Sequence, residues 1–433
     1  MKNIKILMFI LFLLALTSSF SLAATRLEIS SPGEQTIPLA MPRLLPMAAV
    51  QAGVAEEFNE VLSSDLELSG LFDQVDPASF LSDATRLGLK RTDIDFYQWR
   101  VLGTEALIKG GYSYSGGKLT IEMRLFDVVS QRLLTGRRYI GKLTDVRKIA
   151  HTFADQVLLS LTGEKGPFST KIAYISNRTG RKELYLMDVD GHKPLRMTNH
   201  KAIVLNPDFS PTRKEVIFTS YAKGNPDLYR KEIYTGRESR VSLKKGLNIS
   251  GRYSPDGREI ALTLSKDKNS ELYLIGTDGT IHRRLTNHYG IDVDPSWSPK
   301  GDQIAFVSDR RGNPNIFIVN IHTLEVSRLT FEGKYNATPA WNPKDDRIVF
   351  SRLDKGVFNI FTIRTDGSDE RQLTFGEGNK EHPRWSPDGR FLIYSHDLHG
   401  EKSIWLMRDD GTGAKRISAP GGDDLHPAWS DRW

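Results

Sequence analysis

Acidic side chains recur at one place in this sequence: Asp292 and Asp294, Glu381, and the pair Asp423 and Asp424 each lie a few residues before a Pro-x-Trp triplet. Carboxylates gathered in this way could ring a cation or a charged partner, while short Asp and Asn side chains equally serve the turns that they occupy. His396 and His399 flank Asp397 at i and i+3, which could begin a metal site, but the local spacing supplies no third ligand. Nucleophilic chemistry has less to stand on. The nearest approach to a G-x-S-x-G elbow, "GYSYSGG", carries Ser115 at its fifth place, and H-E-x-x-H, P-loop and dinucleotide fingerprints are missing from the sequence. With no cysteine among 433 residues, disulfides and thiolate metal sites are excluded. These observations predict no catalytic residue, no metal site and no cofactor.

The elements that must position those acids repeat. Phe209, Tyr253, Trp297, Trp341, Trp385 and Trp429 are each 44 residues from the next, and the preceding column reads Pro207, Gly251, Pro295, Pro339, Pro383 and Pro427. Turn pairs such as Asp278-Gly279 and strand-end residues Thr198, Ser242, Thr286, Thr330, Thr374 and Ser418 keep the same step. Between them stand β-rich runs, "QIAFVS" then "NIFIV", or "FLIYS" then "SIWLM". A period of this length with four short strands per unit fits a β-propeller blade, whose faces are covered by its neighbours. The aromatic column is expected to wedge between blades. The first unit lacks its aromatic strand, whereas the chain ends on a stray copy, "HPAWSDRW". Residues 427–430 are therefore expected to complete the first blade and close a ring of six. The other arrangement, an open solenoid, would need polar capping repeats, and none is visible.

Upstream of the array the period vanishes. "AVQAGVAEEFNEVL" and "DVRKIAHTFADQVLLSL" place apolar residues at helical spacing, the second behind an Asp145 cap, and residues 106–139 read as three strands with turns at Gly116-Gly117 and Ser130-Gln131. The fold class is thus an α/β N-terminal domain followed by an all-β six-bladed β-propeller closed by the C-terminal strand. The expected boundaries are 34–162 for the α/β domain and 163–433 for the propeller. "TRLEISSPGEQTIPLAMPRL" looks extended, proline-containing and ill suited to a core, so residues 24–33 are expected to form an extended arm.

Lys2 and Lys5, an apolar run over residues 6–16 and the small-x-small Ser21-Leu22-Ala23 read as a secretory signal, residues 1–23, cut after Ala23 or Ala24. The run is short for a membrane span. Losing Lys2 and Lys5 lowers the formal net charge from +6 to +4, and the chain has no basic run, which argues against nucleic acid. Hydrophobic and charged shares of 39% and 26% are those of a folded soluble protein.

In this layout of export signal, α/β domain and units such as "PSWSPKGDQIAFVSDRRGNPNIFIVN" and "PRWSPDGRFLIYS" closed by "PAW", the chain resembles the TolB family of the periplasmic Tol-Pal envelope system. The resemblance implies a non-enzymatic periplasmic scaffold that supports outer-membrane integrity and constriction at cell division. The resemblance further implies that it binds the peptidoglycan-associated lipoprotein Pal at the propeller mouth and the inner-membrane protein TolA through the extended N-terminal segment. Carried over, that segment is Ala24, Thr25, Arg26, Leu27, Glu28, Ile29, Ser30 and Ser31, whose alternating Leu27 and Ile29 could add a strand to a partner's sheet edge. For Pal, the expected contacts are in loops before the aromatic strands: Asn248, Ser250, Asp292, Asp294, Asn336, Thr338, Glu381 and His382. The second and third units depart from the family's tryptophan with Phe209 and Tyr253. Read without the resemblance, a secreted propeller enzyme acting on polysaccharide or peptide remains the alternative; its mark would be a perturbed acid or base pair deep in the channel.

Overall fold

Apolar strands with both faces covered account for most of this molecule. The computed structural model describes residues 36–49 and 51–432. Its first part carries strands β1 (Ile37–Ala40), β2 (Leu45–Pro46), β3 (Phe72–Gln74), β4 (Ala106–Ser115), β5 (Lys118–Asp127) and β6 (Arg132–Gly141). They form one sheet in the order β3-β1-β4-β5-β6, with β2 on β4. Helices α1 (Val54–Ser69), α2 (Phe96–Val101) and α3 (Val146–Thr162) accompany it. The three strands expected from turn chemistry are β4, β5 and β6, and Gln131 adopts φ 53° at the second turn.

Two details differ from expectation. The segment thought unfit for a core supplies β1, whose Leu39 and Ala40 are fully buried between β3 and β4. Pro38 is tolerated because its carbonyl still accepts the Glu105 N–H at 2.9 Å; what the ring removes is only a donor. Asp145 stands at the N-cap of α3, but its carboxylate accepts the Lys142 N–H of the preceding turn at 2.8 Å instead of capping the helix.

From Lys171 onward the chain builds six four-stranded antiparallel sheets. The innermost strands, Val204–Phe209, Asn248–Tyr253, Asp292–Trp297, Asn336–Trp341, Asn379–Trp385 and Asp424–Trp429, touch one another in a closed cycle. The last of them pairs with Lys171–Ser176, with Trp429 opposite Ile172 and Ala428 opposite Ala173, so the ring is sealed by the C-terminal strand. Each aromatic of the 44-residue column packs across a blade boundary. Trp297 belongs to one cluster with Leu272 and Leu274 of the preceding blade and Phe306 of its own, and its Nε1 donates to the Arg252 carbonyl at 3.1 Å. Burying one such ring contributes roughly 2–3 kcal/mol.

The strand-end column has an equally concrete cause. The Thr286, Thr330, Thr374 and Ser418 hydroxyls accept the amides of Leu272, Ile316, Ile360 and Ile404 at 2.9–3.0 Å, replacing a ladder bond where the fourth strand leaves the sheet. The turn glycines are required by closeness as well as by φ. At Gly279, φ is +87° and an added Cβ would stand 1.9 Å from the Val241 carbonyl of the neighbouring blade. Gly279→Ala is expected to cost about 1–3 kcal/mol, from strained φ and overpacking together, read as a lower denaturant midpoint at unchanged m-value.

The α/β domain and the ring share a core. Phe58, Phe153, Phe168, Tyr174 and Phe391 fall in one buried cluster, and Phe168 meets Phe391 edge-on at 5.9 Å. Beside it His151 of α3 is buried with Asp65 of α1 2.7 Å from Nδ1 and Asp190 of the first blade 3.3 Å from Nε2. Arg147 also pairs with Asp190. Among the described residues, no helix is long and apolar enough to cross a membrane.

Candidate partner-binding face

Each inner strand is interrupted by a bulge, and the bulge sets the channel lining. Register shifts fall between Leu205 and Asp208, Ile249 and Arg252, Val293 and Ser296, Ala337 and Ala340, Glu381 and Arg384, and Leu425 and Ala428. Within them Asn206, Ser250, Asp294, Thr338, His382 and His426 all take left-handed φ of 50–57°. That conformation is unfavourable for a side chain, and most so for β-branched Thr338, so the surrounding sheet must impose it six times. Bulges of this kind re-aim side chains, often beside functional sites. Here they bring neighbouring blades into contact: Ser250 Oγ donates to Asp294 at 2.6 Å, His382 stacks on His426 with centroids 4.1 Å apart, and the Asn206 N–H donates to His426 Nδ1 at 3.3 Å. Burial, first, and then nearby positive charge hold both histidines down, His382 at about 4. The pair is neutral at pH 7.

The residues expected in loops before the aromatic strands are instead part of the strands. Asn248, Asp292 and Asn336 are fully buried, and the polar atoms of Asn248 and Asn336 close the loop that precedes each. Asn248 accepts from the Ser242 hydroxyl and the Lys244 amide and donates to three carbonyls. Asp292 takes Arg310 at 2.6 Å, and Asn336 takes Arg352 at 2.8 Å. This corrects their reading as contact residues: they brace the loops. Ser250 is buried too. Asp294, Thr338, Glu381 and His382 are half-buried along the channel, and burial raises the Glu381 carboxyl above its ordinary range. Residues Ala24 to Ser31 lie outside the described residues. His396 Nε2 lies 3.2 Å from the Glu377 carbonyl, and among the described residues no three His, Asp or Glu side chains are grouped to hold a metal.

The loops so braced expose a crown of apolar side chains that motif chemistry does not mark. Leu243, Phe331 and Phe375 each follow the strand-end hydroxyl and stand 55%, 68% and 70% exposed; Tyr289, Ile291 and Tyr335 accompany them. All six sit in the loops that lead from the fourth strand of one blade into the inner strand of the next, at one mouth of the channel. Large exposed apolar groups clustered on a rigid rim mark an interaction surface. A signal for them existed: the same 44-residue step joins Leu243, Phe331 and Phe375.

A braced ring with an apolar crown, fused to an α/β domain through a common core, defines a two-domain β-propeller protein. The profile of the TolB beta propeller domain matches residues 159–432, and that of the TolB amino-terminal domain matches residues 25–134. The chain belongs to the TolB family. The Tol-Pal system protein TolB of Syntrophotalea carbinolica is 60% identical over 209 residues, 48% of this chain and 49% of the relative; that of Geobacter sulfurreducens is 45% identical over 190 residues, 43% of each. The chain spans about half the length of the curated relatives that it matches. The crystal structure of TolB from Acinetobacter baumannii shares the fold, with a TM-score of 0.80 at 24% identity over 92% of this chain and 98% of that one.

Proposed function

We propose that this protein is a non-enzymatic periplasmic scaffold of the Tol-Pal system that receives the lipoprotein Pal on the crown-bearing mouth and engages TolA through residues 24–31, in support of outer-membrane integrity and constriction at cell division. The observation that carries the reading is the apolar crown on loops held by buried clamps, a preorganised surface that loses little entropy on docking. His382 and His426 are the perturbed pair that an enzyme would show, but His382 Nδ1 has no hydrogen-bond partner among the described residues to orient it as a base, which favours binding over catalysis. Replacing both Phe331 and Phe375 with Ser is expected to weaken Pal binding by about 100-fold, the scale of two hot-spot aromatics, with melting unchanged. Titration calorimetry with purified Pal measures it. Deletion of residues 24–31 should remove TolA binding and spare Pal. A double variant that binds Pal like the parent would sink the placement, and turnover in a glycan and peptide hydrolysis screen would favour the enzyme.

A further inference from the structure

The opposite end of the channel is built differently. There the inner strands turn outward, and Pro211, Pro255, Pro299, Pro343 and Pro387, with Asp431 in the sixth place, ring a cavity of about 410 Å3. Inside the collar the residue before each aromatic faces the axis: Asp208, Arg252, Ser296, Ala340, Arg384 and Ala428. Because the inner strands follow one another in a closed cycle of six, the strands bearing Arg252 and Arg384 are three steps apart and oppose each other across the channel.

Both guanidiniums are incompletely used. Arg252 is 7% exposed; its Nη1 donates to the Pro207 and Gly251 carbonyls at 3.3 and 3.1 Å, the Asp208 carboxylate is 3.9 Å away, and its Nε has no partner. Arg384 is bonded through Nη1 to the Pro339 and Pro383 carbonyls, each at 3.4 Å, its buried Nε is also unpartnered, and no carboxylate pairs with it among the described residues. Both guanidiniums line the cavity, and an oxyanion is the ligand that two opposed cations of this kind favour. The balance of charge agrees: Arg252, Arg384, Lys344 and Arg432 line the cavity against Asp208 and Asp431. Of these cations Arg252 also acts, with Lys182 and Lys402, to hold the imidazoles of His382 and His426 down.

We propose that this end of the channel is an anion site, which takes a compact carboxylate- or phosphate-bearing group between Arg252 and Arg384 with its apolar portion against the proline and tryptophan collar. The site is on the face away from the crown and does not depend on which partner docks there. The volume exceeds that of a single phosphate, so an organic acid of a few carbons fills it better.

The full chain is titrated calorimetrically with citrate and, separately, with inorganic phosphate, at constant ionic strength. One saturable site is expected for citrate, weakened about tenfold or more in Arg384→Gln and partly restored in Arg384→Lys, as loss of a charge-assisted contact requires. Saturable phosphate binding with the same response assigns the site to oxyanions generally; citrate alone assigns it to organic acids. Should Arg384→Gln fail to fold, Lys344→Glu at the exposed rim must still weaken the titration. The proposal is overturned if neither probe saturates below about 10 mM, weaker than a millimolar contact, or if the substitutions leave the affinity unchanged.

Discussion

Removing residues 424–433 is expected to abolish the cooperative unfolding transition of the propeller. The first blade would lose its inner strand, together with the pairs of Asp424 with Ser176, Leu425 with Ile175, Ala428 with Ala173 and Trp429 with Ile172. Half-buried Arg178, which holds Asp424 through two bonds of 2.8 and 3.0 Å, would lose its partner as well. Losing Leu425 and Trp429 removes roughly 2–3 kcal/mol each, so the total approaches the whole net stability of a domain, roughly 5–15 kcal/mol. Asp424→Asn keeps the strand and disturbs only the ion pair, so it should shift the melt without destroying it. Scanning calorimetry of the three proteins makes the comparison. A truncated chain that still melts in one sharp transition close to that of the parent would mean that the ring does not need its seal.

The ring was legible before its coordinates because its cause is written in residue types. A large aromatic every 44 residues can only be buried by a neighbour, and the orphan strand around Trp429 matches the missing strand before Ile172. What stayed hidden depends on backbone and direction. Asn206, Ser250, Asp294, Thr338, His382 and His426 share one left-handed conformation but no chemistry, since a bulge, and not a side chain, creates it. Asn248, Asp292 and Asn336 look like loop-borne contact residues until the strand begins three positions earlier than the Pro-x-Trp pattern suggests; their side chains then turn back into the blade. The crown is faint in the sequence because the same column holds Asn199, Asn287 and Ala419 in the other blades, diluting an apolar signal that only position in the ring concentrates. Likewise the opposition of Arg252 and Arg384 is a property of six-fold closure, invisible in a list of residues 132 apart.

Breaking the buried link at the domain junction is expected to be comparably severe. Burial alone would hold His151 neutral, but Asp65 and Asp190 outweigh it and lift the imidazole to about 10. Burial pushes the Asp65 carboxyl up despite the histidine, whereas His151 and Arg147 overcome burial at Asp190 and hold it below its ordinary range. Glu57, 3.9 Å from Arg147, and Lys415, which acts on Asp65, are the other charges facing the site. His151→Leu leaves the buried Asp65 carboxylate without its partner beside half-buried Asp190, and about 3–5 kcal/mol of stability should go with it. The pH dependence has a defined sign. A histidine raised in the folded state contributes fully below its unfolded value near 6.5, and that contribution fades as pH climbs through about 10, with a slope of at most about 1.4 kcal/mol per unit. The depressed Asp190 works the other way: its share is present above the ordinary carboxylate range and is lost on acidification, so the junction is firmest between these limits. Denaturant titrations of parent and His151→Leu at steps from pH 6 to 10 should show the parent losing its advantage as pH rises. If the two curves stay parallel across that window, the imidazole is not charged in the fold and the junction is held by the Phe58, Phe153 and Phe391 core alone.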